Sequence, residues 1–104
     1  MKIAIGSDEA GFELKNQVKG YLEGKGCKVV DVGCHSNDPV LYPDVAESLC
    51  KKIIDGTCER GVLVCGTGIG MAMTANKMPG IRAAVGHDAY SVERMVLSNN
   101  AQVI

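Results

Sequence analysis

The segment Cys65-Gly66-Thr67-Gly68-Ile69-Gly70 joins a nucleophilic side chain to an unusually adaptable backbone. Because glycine adopts positive φ angles and lets the backbone approach a ligand closely, this composition favours a loop that wraps an anion. The N–H groups of a following helix would point at that anion, which suits a phosphate or the enediolate oxygens of an isomerisation. No Gly-Lys-Ser/Thr follows, so the loop is not a P-loop, and it matches the dinucleotide fingerprint GxGxxG only loosely.

Cys65 would stand beside the N-terminus of that helix. The positive end of a helix dipole favours a thiolate over a thiol. A thiolate can remove the proton alpha to a carbonyl, so Cys65 is the candidate general base. The alternative is that Cys65 is simply the last buried residue of the strand before the loop.

Further polar side chains follow other apolar runs. Asp8 could bind a substrate or could cap a helix or turn, and Tyr42 could place a phenol in a cleft or could serve packing. His87 is a lesser acid–base candidate. Ser98 and Asn99 precede the last predicted strand, so we expect them at the opposite edge of their own sheet, where the alternative is a helix C-terminal turn.

Short apolar runs alternate along the chain with segments of helical periodicity, which predicts how these side chains are positioned. The alternation predicts an α/β fold, a Rossmann-like three-layer sandwich with a five-stranded parallel sheet. Such sheets bind ligands beyond the carboxyl ends of their strands. Strands are predicted at 2–5, 27–32, 61–65, 81–85 and 101–104, and helices at 12–23, 43–54, 71–77 and 89–97, the first with an apolar stripe of Leu14, Val18, Tyr21 and Leu22.

Length and composition narrow the class of protein. The 104 residues with a net charge of −1 predict a single domain with no nucleic-acid or membrane surface. We expect neither a signal peptide nor a transmembrane segment. The five cysteines show no CxxC or Cys/His ligand spacing, so we expect no disulfide framework, no metal site and a cytoplasmic location. The chain ends within the fifth predicted strand, so we expect further residues or a partner to complete the sheet.

Five motifs occur in an order that resembles the type B ribose-5-phosphate isomerases, a family that includes the galactose-6-phosphate isomerases and some tetrose-phosphate isomerases. The similarity covers essentially the whole chain. The pairing of CGTGIG with ANKxPGIRAA is much more specific to the family than a glycine loop alone. The motifs are Gly6-Ser7-Asp8-x-Ala10-Gly11, Tyr42-Pro43-Asp44, Val64 to Gly70, Ala75 to Ala84 without Met78, and Tyr90-Ser91.

The resemblance implies an isomerase without metal or organic cofactor, in a homodimer that can pair again into a tetramer, with active sites at the subunit interface. The implied reaction is proton transfer between C1 and C2 through a cis-enediolate, with Cys65 as the base. Thr67 and the amides of Gly66, Gly68, Ile69 and Gly70 would hold the enediolate oxygens. Asp8 and Tyr42 would bind the sugar or help to open its ring, and Asn99 would contact a substrate hydroxyl in the partner's site.

Three departures from the family bear on the substrate. Glu9 and Ser98 stand at substrate-contacting positions where many relatives carry histidine, and Ser98 is more typical of the tetrose-phosphate branch. Family members also continue beyond residue 104, so we expect this domain, 1–104, to lack a C-terminal tail with phosphate-binding arginines. Ribose 5-phosphate is the leading substrate. The alternatives are D-erythrulose 4-phosphate or galactose 6-phosphate as substrate, or a non-catalytic sugar-phosphate-binding module.

Overall fold

A computed structural model describes residues 1–104 as three strands and four helices. The observed bounds lie within two residues of the predicted ones, and Cys65 falls just beyond the end of its strand rather than inside it. The elements are β1 (Lys2–Ser7), α1 (Phe12–Gly24), β2 (Lys28–Asp31), α2 (Tyr42–Ile54), β3 (Arg60–Val64), α3 (Ile69–Asn76) and α4 (Ala89–Leu97).

The sheet is parallel, in the order β2-β1-β3, and β1 is its central strand. On one face α1 packs across all three strands, and on the other face α2 packs with α3 against β1 and β3. The core lies mainly on the α2 side, where α2 turns its apolar stripe, including Leu49, towards Ala4 of the sheet. This is the expected Rossmann-like α/β arrangement, and it brings the ends of β1 and β3 side by side.

The predicted fourth and fifth strands are wrong as strands. Segments 81–85 and 101–104 join the sheet only through the isolated parallel bridges Gly61↔Val103 and Ala83↔Val103. Beside these bridges, side-chain amides form hydrogen bonds with backbone groups of Arg82 and Ala83.

The amide of Asn76 donates to the Ala83 carbonyl and accepts from the Ala83 N–H, both at 2.8 Å. The amide oxygen of Gln102 likewise accepts from the Arg82 N–H at 2.8 Å. The sheet therefore has three strands with two bridged segments, not five strands.

The apolar stripe predicted for α1 is wrong in part. Leu14 and Tyr21 are 52% and 64% exposed, whereas Lys15 is only 1% exposed. Lys15 points inward because its Nζ lies 3.0 and 2.9 Å from the two carboxylate oxygens of Asp31, at the end of β2. A charged pair thus occupies a position that the periodicity assigns to apolar side chains.

Asp31 carries the strongest set of charge contacts in the fold. Burial alone would raise its pKa, but the hydrogen bond from Lys15, the N–H of Gly33 and the charge of Lys15 together hold the pKa of Asp31 below its ordinary value of 3.8. Lys19 adds a third contact, 3.3 Å from Asp31 Oδ2.

We expect Asp31→Asn to destabilise the protein near neutral pH and to cost progressively less in acid. A carboxyl whose pKa is lowered on folding contributes stability that is fully present above its unfolded value of 3.8, and that is lost as the pH falls through the lowered folded value. Urea unfolding of the wild type and of Asp31→Asn from about pH 7 to about pH 3 measures the difference between their free energies of unfolding. A difference that stays constant or widens in acid would contradict the assignment.

None of the four helices combines the length and apolar character needed to cross a membrane.

Candidate active site

The thiol of Cys65 lies at the start of α3. β3 ends at Val64, and the Sγ atom of Cys65 accepts the backbone N–H of Gly68 at 3.0 Å. Gly68 has a φ of 80°, a left-handed conformation that a residue with a side chain rarely adopts. Helix α3 then begins at Ile69. The tight turn therefore aims the thiol at the positive end of a helix.

Backbone donors surround this thiol. No hydrogen bond within the protein occupies the N–H groups of Gly66, Thr67 or Gly70. The hydroxyl oxygen of Thr67 accepts the Ile69 N–H at 3.1 Å, which leaves its own proton free to donate. Unpaired N–H groups at a helix N-terminus are suited to an anion or a developing oxyanion.

Asp8 lies beside Cys65 because β1 and β3 are neighbours. The backbone N–H of Asp8 donates to the Val64 carbonyl at 3.2 Å, one residue before Cys65. Its Oδ1 accepts the Gly11 N–H at 3.0 Å, so Asp8 does form a turn, while Oδ2 remains without a protein donor. Asp8 can therefore form the turn with one carboxylate oxygen and bind a substrate with the other.

Tyr42 reaches the same loop from α2, of which it is the first residue. A Cβ added to Gly70 would lie 2.7–2.9 Å from atoms of the Tyr42 ring, including its hydroxyl oxygen. The side chain is nevertheless 40% exposed. The phenol thus packs against the start of α3 and still faces solvent at the site.

Glu9 links the site to the loop after β2. Its Oε2 accepts the backbone N–H of Val40 at 3.2 Å. Backbone hydrogen bonds, from its own N–H and from Val40, lower the pKa of Glu9 below its ordinary value. The site therefore carries a fixed negative charge next to Asp8.

Ser98 and Asn99 lie at the other end of the sheet, as their positions in the sequence predict. The Arg60 guanidinium, at the start of β3, donates to the carbonyl of Ala101 at 2.7 Å. Cys65 follows the opposite end of that strand and lies about 16 Å from Arg60, at the usual rise of about 3.3 Å per residue. Asn99 and Cys65 of one chain therefore do not meet.

Two cavities adjoin the site loops, and the sequence indicated neither. One, of about 310 Å³, is lined by Cys65 to Gly68 but otherwise mostly by apolar side chains such as Leu14 and Ile104. The other, of about 390 Å³, lies between α2 and the loop after β2, with His35, Asp44 and Ser48 in its wall. Neither cavity includes Asp8 or Tyr42, so the polar site is the open surface between these residues and Thr67.

No group of three or more His, Cys, Asp or Glu side chains is arranged to hold a metal ion. The buried pair Lys15–Asp31, which reaches the loop after β2 at Cys34, is not predicted by the sequence pattern. A lysine followed by an apolar helix repeat carries no signal of its burial. Its partner Asp31 is identified only in the fold, where the sheet brings the end of β2 close to α1.

Comparison with known proteins agrees with this geometry. The family model described as Ribose/Galactose Isomerase matches residues 3–104. The Ribose-5-P isomerase B of Listeria innocua is 50% identical over 104 residues, covering 100% of this chain and 70% of that protein. The D-erythrulose-4-phosphate isomerase of Pectobacterium atrosepticum is 53% identical over 108 residues, covering 100% of this chain and 69% of that protein.

A solved structure gives the same result for the fold. The ribose-5-phosphate isomerase B of Clostridium thermocellum superposes with a TM-score of 0.97 at 42% identity, covering 99% of this chain and 70% of that one. The match in sequence thus extends to the path of the backbone through the site loops. Because the family pattern spans nearly every residue, and the fold and its relatives agree with it, the chain belongs to the ribose/galactose isomerase family.

Proposed function

We propose that residues 1–104 form one sugar-phosphate isomerase domain, which interconverts ribose 5-phosphate and ribulose 5-phosphate with Cys65 as the base. One observation carries the proposal. The Cys65 Sγ lies 3.0 Å from the Gly68 N–H at the start of α3, among free backbone donors. A base and an oxyanion site in contact with each other are what an enediolate reaction requires.

The reaction is a proton transfer within one molecule. Cys65 removes the proton from C2 of the open-chain aldose, and the electron pair of that C–H bond forms the C1=C2 double bond of an enediolate. The N–H groups of Gly66 and Gly70, with the hydroxyl of Thr67, stabilise the oxygens. Cys65 then returns the proton to C1, while the hydroxyl proton passes from O2 to O1. Carbon 2 is oxidised and carbon 1 is reduced, so no external oxidant is needed.

The remaining site residues orient the sugar. Asp8 Oδ2 and the Tyr42 hydroxyl face the open surface and are suited to sugar hydroxyls or to ring opening. Glu9 is ionised, so it accepts from a hydroxyl and repels a phosphate. We therefore place the phosphate end of the substrate away from Glu9. The amides of Gly68 and Ile69 shape the anion-binding turn, since they are bonded to the Cys65 thiol and the Thr67 hydroxyl.

We further propose a homodimer in which Ser98 and Asn99 of one subunit enter the site of the other, with a tetramer of two such dimers as the alternative assembly. Their distance from Cys65 within one chain supports this. Ile69 and Met73, on successive turns of α3, are 55% and 63% exposed and offer apolar area for a partner. All five cysteines are free, which favours the reducing cytoplasm.

D-erythrulose 4-phosphate is the second candidate substrate. The Pectobacterium relative carries that name at 53% identity. Ser98 favours the same assignment, because a four-carbon ketose phosphate is acyclic and needs no histidine to open a ring. Galactose 6-phosphate as substrate, or binding without turnover, becomes the assignment if neither of these two sugars is isomerised in the assay below.

We expect the complete natural protein to isomerise ribose 5-phosphate, measured beside D-erythrulose 4-phosphate under identical conditions. Values of kcat/KM for both substrates decide between them. A large preference for the tetrose would replace the ribose assignment and mark Ser98 as the site of the change. Binding of both sugars without turnover would overturn the isomerase proposal in favour of a binding module.

A further inference from the structure

We propose that Lys15 is a positioning residue that holds Asp8 and Glu9 in place through the loop after β2. The proposal rests on the function proposed above. Lys15 itself is 1% exposed, and the hydrogen bonds of its ammonium go to Asp31 and Cys34 rather than to Asp8 or Glu9. Its effect is transmitted through Asp31 and Cys34, which lie between α1 and the site.

The ammonium of Lys15 uses all three of its donors. Two hydrogen bonds go to the carboxylate oxygens of Asp31, and the third goes to the backbone carbonyl of Cys34. A buried ammonium is costly unless every proton has an acceptor, so this geometry is tightly specified. An apolar side chain would fill the same volume, but the ammonium also fixes the positions of its oxygen acceptors, because hydrogen bonds are directional.

The carbonyl held by Lys15 belongs to a residue that is itself bonded to β1. The N–H of Cys34 donates to the Ser7 carbonyl at 2.8 Å, and the N–H of Ser7 donates to the Gly33 carbonyl at 2.6 Å. Asp8 is the next residue along the chain. The start of the loop after β2 and the approach to Asp8 are therefore fixed together.

The far end of the same loop holds Glu9. The Val40 N–H donates to Glu9 Oε2, so the segment 33–40 is bonded at one end to Ser7, the residue before Asp8, and at the other end to Glu9. Asp31 Oδ1 also accepts the N–H of Gly33 at 2.9 Å, which orients the first residue of the segment. Loss of the Lys15 tether frees the start of this segment and, through it, both acidic side chains.

The test compares Lys15→Met/Asp31→Asn with Lys15→Met and with Lys19→Met in the full protein. The double variant removes the charge of the pair, and the amide oxygen introduced by Asp31→Asn can still accept the N–H of Gly33. It therefore avoids the buried uncompensated charge left by Lys15→Met alone. Lys19 is the matched control, because it also reaches Asp31 but is 34% exposed and does not contact Cys34.

We expect the double variant to lower kcat by roughly ten- to a hundredfold with little change in KM, as for a small misplacement of site groups. Amide hydrogen exchange should become faster in peptides covering 6–9 and 33–40, but not in 65–70. Lys19→Met should leave kcat and exchange unchanged.

Wild-type kcat in the folded double variant would overturn the proposal, whether or not exchange becomes faster. If the wild-type protein turns over no sugar phosphate, the proposed function fails, and the exchange measurement alone decides whether Lys15 holds the two segments. Unchanged exchange in both of them would then overturn the proposal.

Discussion

Replacing Cys65 with alanine should lower kcat by about 10²–10⁴-fold, the usual contribution of a positioned general base. No other thiol or imidazole lies at the start of α3 to take over the proton transfer. Cys65 is only partly buried, and its Sγ accepts a single N–H, so the fold should tolerate the change. Steady-state kinetics and thermal unfolding of the same preparation measure both effects.

Cys27→Ala provides the control for Cys65→Ala. Cys27 is also partly buried, but it precedes β2 at the amino end of the sheet, far from the site loops. We expect the activity of Cys27→Ala to equal that of the wild type. Full activity in Cys65→Ala would rule out the thiol as the base.

The Cys65→Ala variant also tests the subunit arrangement. If Asn99 enters the partner's site, a dimer of one Cys65→Ala chain and one Asn99→Ala chain contains one intact site. Mixing and refolding the two deficient proteins should then restore turnover. No recovery, in a mixture shown to contain mixed dimers, would place both residues in the same site or Asn99 outside it.

Gly11→Ala should have the largest effect on stability, with a loss of about 1–3 kcal/mol or more from overpacking. An added Cβ would lie 2.5 Å from the carbonyl oxygen and 2.7 Å from the carbonyl carbon of Val64. These are backbone atoms of β3, so neither can rotate aside. Because Gly11 also donates to Asp8, we expect the variant that still folds to lose kcat as well.

Gly20→Ala is the matched control for this prediction. Gly20 lies within α1, and nothing is found within 4 Å of an added Cβ. Alanine there should stabilise the helix by roughly 0.5–1 kcal/mol without changing kcat. Urea unfolding of both variants supplies the free energies. Equal effects at the two positions would contradict the close approach of Gly11 to Val64.

The local pattern of the sequence was enough to predict the loop at the centre of the site. Three signals mark this loop, and each is set by residues that are close in the sequence. They are the apolar run before Cys65, the glycines after it and the helical spacing beyond them. The same holds for the alternation that predicts a parallel α/β fold and places Asp8 and Tyr42 at the ends of their elements. Hydrophobic periodicity and glycine chemistry are local properties, so one sequence reveals them.

Contacts between distant segments could be decided only by the tertiary structure. Lys15 is buried in place of Leu14 because Asp31, sixteen positions away, supplies a carboxylate at the end of β2. The last two predicted strands form only isolated bridges at Val103, and beside them the side-chain amides of Asn76 and Gln102 bond the backbone of Ala83 and Arg82. A charge or an amide in the sequence does not specify its partner, since that depends on which segments the fold brings within hydrogen-bond distance.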